Sequence, residues 1–470
     1  MTTELASTPE APPVVETNER EAIIFIPAIG KPWDDPSIEG VARRISIAID
    51  RQSITEKAKT HVEVAEQDYG SSFKCKMFTI VKKDANGDRP LIDVFGLDYN
   101  DTLVESYVKR TLFTKTLLLV VTLIDGFRRL LFRFYRRGKS LKEKLQLAYG
   151  LMIAGLLVVY LVILITAVVS SVEQLIKKSP PANQQTQTTS KPGPTTAVVP
   201  PAEAGVSDTV FGGINTVAGG VWDGIRSVWT FIRTQRSLFP PIIVLLTAVG
   251  FVVPPKAQLK ERISLAATNY LCLIHYLNWG ERSHAIGGKL EALIEHLVER
   301  DQVYKKIHII GYSFGSIVAV DNLFGLGRKP IDRFERIDTL VTIGCPFDII
   351  RTYWPAYFTG RQSGGSAELK WINVYSPIDI LSSNFADAGN ESRVDESKNE
   401  GVGIEVGDKI YKPESIRFSQ GSSQVLGLLD ILTLTGFKAH TLYWGEEVKG
   451  EITCFHTIVE EMYKGTPVLN

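Results

Sequence analysis

The chain reads as an α/β protein: a mostly parallel sheet flanked by helices and interrupted by a helical transmembrane insertion. Three observations predict this class. Residues 307–310 are a short apolar run of the kind that fills a buried parallel strand. Gly311-Tyr312-Ser313-Phe314-Gly315 breaks that run, and residues 316–326 continue at helical spacing through Ile317, Val320, Leu323 and Phe324. Residues 147–169 carry no charge over 23 positions, about 34 Å as a helix, which is long enough to cross a bilayer.

Bulk composition narrows the functions that fit. With 470 residues there is room for a large core and an accessory region. Lys+Arg and Asp+Glu both number 52, so no overall charge recruits nucleic acid and electrostatic arguments must be regional. Cys75, Cys272, Cys345 and Cys454 lie far apart without C-x-x-C spacing, so they read as reduced thiols, not as a zinc site or disulfide framework. Residues 1–20 lack the basic and apolar regions of a secretory signal and read as a disordered tail.

Taken in order, residues 21–27 are a first buried strand and Pro27-Ala28-Ile29-Gly30 the turn after it. Residues 41–51 put Val41, Ile45, Ala48 and Ile49 on one helical face. Residues 73–82 alternate like a strand, Asn86-Gly87 signals a turn, and 91–97 is another strand. These make 21–110 the first part of the sheet domain.

Composition changes over 111–259, the predicted membrane insertion. Arg128, Arg129, Arg133, Arg136, Arg137, Lys139, Lys142 and Lys144, interleaved with Leu130, Phe132, Phe134 and Tyr135, precede the 147–169 span. Such a flank suits an anionic membrane surface better than nucleic acid, and by the positive-inside rule it is cytoplasmic. Residues 179–199 are Pro/Gln/Thr-rich and read as a disordered loop. Residues 208–236, with Trp222 and Trp229, read as an interfacial helix. Because both halves of one sheet must lie on one side of the membrane, the insertion must cross an even number of times. The apolar stretch 238–255 is the candidate second crossing, giving a hairpin inserted into a cytoplasmic domain.

Residues 260–470 complete that domain. Helices are predicted over 262–277 and 289–303, strands over 339–343, 371–375 and 415–418, a long loop over 386–406, and an apolar segment over 425–434. The aromatic-rich stretch 351–361 suits a pocket wall and ordinary packing equally.

Strand, tight turn and helix with Ser at the apex and Gly two places to either side is a nucleophile elbow. Strained backbone holds the Ser313 hydroxyl out at the sheet's C-terminal edge, and the Phe314 N–H can face a developing oxyanion. With the early strand and its turn, the chain resembles the α/β-hydrolase superfamily in its lipase- and esterase-like branch, over roughly 21–110 and 260–460. The resemblance implies chain order Ser, acid, His. Asp379, in Ser376-Pro377-Ile378-Asp379 past the 371–375 strand, is the expected acid, with Asp348 as the alternative. His440, followed by Tyr443 and Trp444, is the expected base. His456 and His308 read as structural. The family's His-Gly turn is absent; by alignment Ile29, or else Ala28, supplies the second oxyanion N–H.

The implied activity is a membrane-anchored serine hydrolase of a lipid or other apolar acyl ester. The alternatives are acyl transfer by the same residues and a non-catalytic membrane scaffold or receptor. No nucleotide, metal or haem motif is present, and no cofactor is expected.

Overall fold

A computed structural model describes residues 20–30, 38–52, 60–69, 73–84, 87–135, parts of 146–161, 256–278, 280–299, 304–326, 332–364, 368–385, 403–419, 440, 442–444 and 452–464. It divides into two units, residues 1–161 with 264–470 and residues 162–263; of the second, only 256–263 are described.

The strands are β1 (Arg20–Ile26), β2 (Thr60–Tyr69), β3 (Phe73–Asp84), β4 (Gly87–Gly96), β5 (Tyr304–Tyr312) and β6 (Phe324–Leu326). They continue as β7 (Ile337–Ile343), β8 (Arg361–Ser363), β9 (Lys370–Tyr375), β10 (Ile404–Val406), β11 (Lys409–Tyr411) and β12 (Glu414–Arg417). The helices are α1 (Ile38–Gln52), α2 (Leu112–Tyr135), α3 (Lys256–Asn278), α4 (Glu281–Glu299), α5 (Phe314–Leu323), α6 (Phe347–Tyr353) and α7 (Cys454–Met462).

Eight strands form one sheet in the order β12-β9-β7-β5-β1-β4-β3-β2. From β12 to β4 every pairing is parallel, and β3 and β2 are added antiparallel at one edge. From β1 the chain passes through α1 to the edge strand β2 and comes back inward through β3 to β4 beside β1; after the insertion β5 lies on the other side of β1, and the sheet grows from there towards β12. The switch in direction therefore falls between β1 and β5. In open α/β sheets that crevice, outside the strands' carboxyl ends, is where ligands bind.

Alternation decides which helix covers which face. Ile23 and Phe25 of β1, Ile310 and Tyr312 of β5, and Val341 and Ile343 of β7 join one buried cluster with Val41, Ile45 and Ile49 of α1 and Phe455, Ile458 and Val459 of α7. The intervening residues Ile24, Ile309 and Leu340 are fully buried on the opposite face. Leu290, Leu293, Ile294 and Leu297 of α4 are buried too, at the helical spacing that gives this helix an apolar face.

Three elements differ from the sequence expectation. β2 is an edge strand whose polar residues, such as His61 and Glu63, face solvent, so no apolar run marks it. The helix after Ser313 begins at Phe314 and ends at Leu323, because Phe324–Leu326 pairs antiparallel with β8. Ile404–Val406, expected as loop, pairs with β11; residues 386–402 and 425–434 lie outside the described residues.

Among the described residues no helix is long and apolar enough to cross a membrane. The predicted span 147–169 is described only in part, up to residue 161, and 179–199, 208–236 and 238–255 lie outside the described residues. Within the described part Ile153, Leu157 and Tyr160 are buried, while Leu151 and Val158 are exposed. This stretch is one-sided despite its uniformly apolar sequence.

Candidate active site

Ser313 terminates β5 with φ 53° and ψ −122°, a positive φ that costs a non-glycine residue about 1–3 kcal/mol. Two hydrogen bonds hold it there: its N–H donates to the Ile343 carbonyl of β7 (2.8 Å), and its carbonyl accepts from Ser316 N–H (3.0 Å). The flanking glycines are sterically required. A Cβ on Gly311 would stand 2.6 Å from Ser316 Cα, and one on Gly315 would stand 2.1 Å from the Ile26 carbonyl oxygen and 2.4 Å from that of Pro27. The second contact also sets the end of β1 directly against the elbow.

That contact brings the two expected oxyanion elements together. Phe314 opens α5, so its N–H has no acceptor within the helix. The turn after β1 is fixed by Tyr99 Oη donating to the Pro27 carbonyl (2.8 Å) and by Gly30 N–H donating to Asn100 Oδ1 (2.7 Å). Gly30 takes φ +82°, open to glycine. Ile29 is half-buried in this turn and Ala28 is buried. Phe314 itself packs edge-on against Tyr276 of α3, ring centroids 5.0 Å apart.

Asp379 lies just past β9 and is 2% exposed. Its Oδ1 accepts from Leu381 N–H (3.0 Å); its Oδ2 faces His440 Nδ1 (2.7 Å) and accepts from Tyr443 Oη (2.9 Å). A carboxylate only accepts, so the proton sits on Nδ1 and Nε2 is left as the basic nitrogen. Nε2 is buried and has no hydrogen-bond partner among the described residues. Tyr312, beside Ser313, stacks on the imidazole (centroids 5.2 Å, planes 22° apart) and donates its hydroxyl to the His440 carbonyl (2.7 Å). Gly344, at φ +58°, lies close against the same ring: a Cβ there would stand 3.0 Å from His440 Cε1.

Of the two carboxylates considered from sequence, Asp379 contacts the histidine. Asp348 lies on α6 with Arg351 as its ion-pair partner at 4.0 Å. His456 holds the start of α7: its Nδ1 accepts from the Thr453 N–H (3.0 Å) in a capping box. His308 faces Glu21 (3.3 Å) and Asp338 (3.8 Å) at the other end of β5.

Tyr312 and Gly344 carry no individual sequence signal of these roles, and Tyr443 is marked only by its place three residues after His440. Tyr443 is the most telling. It accepts from Ser376 N–H (2.9 Å) while donating to Asp379, and burial, reinforced by the Asp379 charge, raises its pKa well above the ordinary value. It therefore remains a donor at any working pH. The segment 351–361 is built for packing. Phe358 stacks on Phe347 (4.2 Å), and buried Arg361 pairs with Asp321 (2.7 Å), whose other oxygen accepts from Tyr357 Oη (2.6 Å).

No group of His, Cys, Asp and Glu that could hold a metal occurs among the described residues. No protein-family model, curated protein or solved structure matches the chain.

Proposed function

We propose that this chain is a membrane-associated serine hydrolase of the α/β-hydrolase type, cleaving an ester through an acyl-enzyme. One observation carries the reading: an imidazole fixed through Nδ1 by a buried carboxylate, its Nε2 unpartnered, in the sheet-edge crevice that also holds a serine at positive φ. What sets His440 apart from the other histidines is its company: a buried carboxylate that fixes Nδ1, and a serine held at positive φ next to the tyrosine stacked on its ring.

In this mechanism His440 Nε2 takes the Ser313 proton as Oγ attacks the ester carbonyl. Asp379 holds the tautomer and stabilises the imidazolium that forms. The N–H groups of Phe314 and Ile29 bind the oxyanion, and His440 then returns its proton to the leaving alcohol. Water, activated by the same imidazole, releases the acyl group. Residues 111–259 act as the membrane insertion, with the hydrolase domain on the cytoplasmic side.

The direct test is labelling of the full, solubilised chain with a fluorophosphonate probe, which reacts only with an activated serine. Labelling that is lost in Ser313→Ala supports the reading. Absence of labelling in a folded wild-type protein overturns it.

A further inference from the structure

Among the described residues, one face of α2 is exposed. Its inner face is fixed: Leu119 and Thr122 are buried, and Arg129 donates to the Tyr353 carbonyl (2.9 Å), Asn278 Oδ1 (3.2 Å) and Asp125 Oδ2 (2.9 Å). The Arg129 guanidinium also lies 4.7 Å from the Trp354 ring centroid. A helix pinned in this way cannot rotate its outer face inward. That outer face carries Leu117, Val121 and Ile124, 53%, 44% and 67% exposed, followed by Arg128 at 81%. Steps of four, three and four residues put all four on one stripe about 60° wide.

We propose that α2 lies flat on an anionic lipid bilayer, its aliphatic stripe in the acyl region and Arg128 among the headgroups. Charge selects this occupant. Asp125 is the only acidic residue of α2, and it is already paired with Arg129 and Arg128. From residue 126 to 145 the sequence holds eight basic residues and one acid, Glu143. An aliphatic face continuing into a cationic segment matches a surface that is apolar inside and negative outside. Leu151 and Val158, a further pair of exposed aliphatic residues, follow in the same stretch of chain.

The inner face of α2 is tied to the candidate site through α6. Tyr353, which holds Arg129, ends α6, and α6 begins three residues after Gly344, the residue packed on the His440 ring. On the hydrolase reading, from which this step follows, the site opens at the bilayer surface. The substrate class is then an ester whose acyl chain lies in the membrane.

The test uses the full chain in nanodiscs of phosphatidylcholine and phosphatidylserine. Leu117→Cys, Val121→Cys and Ile124→Cys, each labelled with an environment-sensitive fluorophore, are compared with Val64→Cys on the edge strand β2. All four native cysteines are buried, so the introduced thiol labels selectively. The expected result is quenching by lipid-attached nitroxide at the three α2 positions and none at position 64. Water-like emission at all three, or protection that persists without lipid in a dimer, overturns the proposal. In a second arm, Leu117→Asp/Val121→Asp/Ile124→Asp should turn over a bilayer-embedded ester about a hundredfold more slowly while leaving a short soluble ester unaffected. Equal turnover of the embedded ester sinks the docking idea. No turnover of either ester by wild type, with the quenching pattern intact, sinks the hydrolase reading alone.

Discussion

Two histidines meet carboxylates over the same face of β5, and they differ in the backbone and the charges around them. At the C-terminal edge His440 faces Asp379 through Nδ1 and keeps Nε2 unpartnered in the crevice with Ser313. At the N-terminal edge His308 faces Glu21 through Nε2 (3.3 Å), while its Nδ1, 3.8 Å from Asp338, likewise makes no hydrogen bond among the described residues. Glu21 is occupied further by Tyr463 Oη (2.5 Å), and Asp338 by Lys306 (3.3 Å). The cavity of about 250 Å³ at that edge is lined by Lys305, Lys306 and Arg336 against Glu335, Asp338 and Glu368, so its charges balance. The same residue types make a charge-rich, part-exposed cluster at one edge and, on the proposed reading, a catalytic pair beside a strained serine at the other. Among the described residues an unpartnered nitrogen occurs at both edges, so the strained serine is what makes chemistry expected at the C-terminal one.

The largest effect that could break this comparison comes from Ser313→Ala. On the proposed reading it lowers kcat for a short soluble ester by roughly 10⁴-fold or more, while circular dichroism and the denaturation midpoint stay near wild type. Residual activity near the wild-type rate would assign the nucleophile elsewhere. Next in size, His440→Ala and Asp379→Asn each lower kcat by roughly 10³–10⁴, with a sub-additive double variant because the groups act as a unit. Asp348→Asn serves as the contrast and stays close to wild type. A loss in Asp348→Asn with Asp379→Asn active would transfer the acid role.

Tyr443→Phe sharpens the comparison within the site. It keeps the ring but removes the hydroxyl that holds Asp379 and accepts from Ser376 N–H. The expected outcome is about a tenfold fall in kcat with KM unchanged, since the ring of His440 loses positioning but substrate contacts do not change. A raised KM with normal kcat would instead place Tyr443 on the substrate.

The local parts of this arrangement are legible in sequence, and the long-range parts are not. Gly311 and Gly315 mark the elbow because any side chain there would strike neighbouring backbone, a constraint written into five consecutive residues. Asp379 is locatable only through the family resemblance, which expects an acid after this strand; the local turn pattern alone leaves Asp348 equally open. By contrast, Tyr312 reaches His440 across 128 residues and Tyr443 reaches Ser376 across 67, distances at which periodicity carries no information. β2 escapes for a different reason. An edge strand with one solvated face needs few apolar residues, so its polar sequence resembles a loop. Arg129 shows the opposite error. Charge patterning groups it with a membrane-facing flank, yet its guanidinium is committed to Tyr353, Asn278 and Trp354.

The smallest effect on activity is expected at the N-terminal edge, where Glu21→Gln tests whether the His308 cluster is structural. Burial pushes the Glu21 carboxyl upward, but hydrogen bonding and charge from His308, with Tyr463 and Lys306, outweigh it and hold the group below its ordinary 4.5. A folded-state pKa below the unfolded one means stability that is present above pH 4.5 and lost as pH falls through the folded value. Wild-type stability should therefore fall more steeply than that of Glu21→Gln as the medium is acidified below that point. Near neutrality the variant should be less stable by about 1 kcal/mol, because Gln can still accept from Tyr463 but gives up the charge. Denaturant midpoints across a pH series read both quantities, and ester turnover near neutrality should stay within about twofold of wild type. Parallel acid slopes in the two proteins would mean that Glu21 does not govern the acid response. A loss of turnover as deep as that of Asp379→Asn would mean that the two ends of β5 are coupled, and that the distinction between them fails.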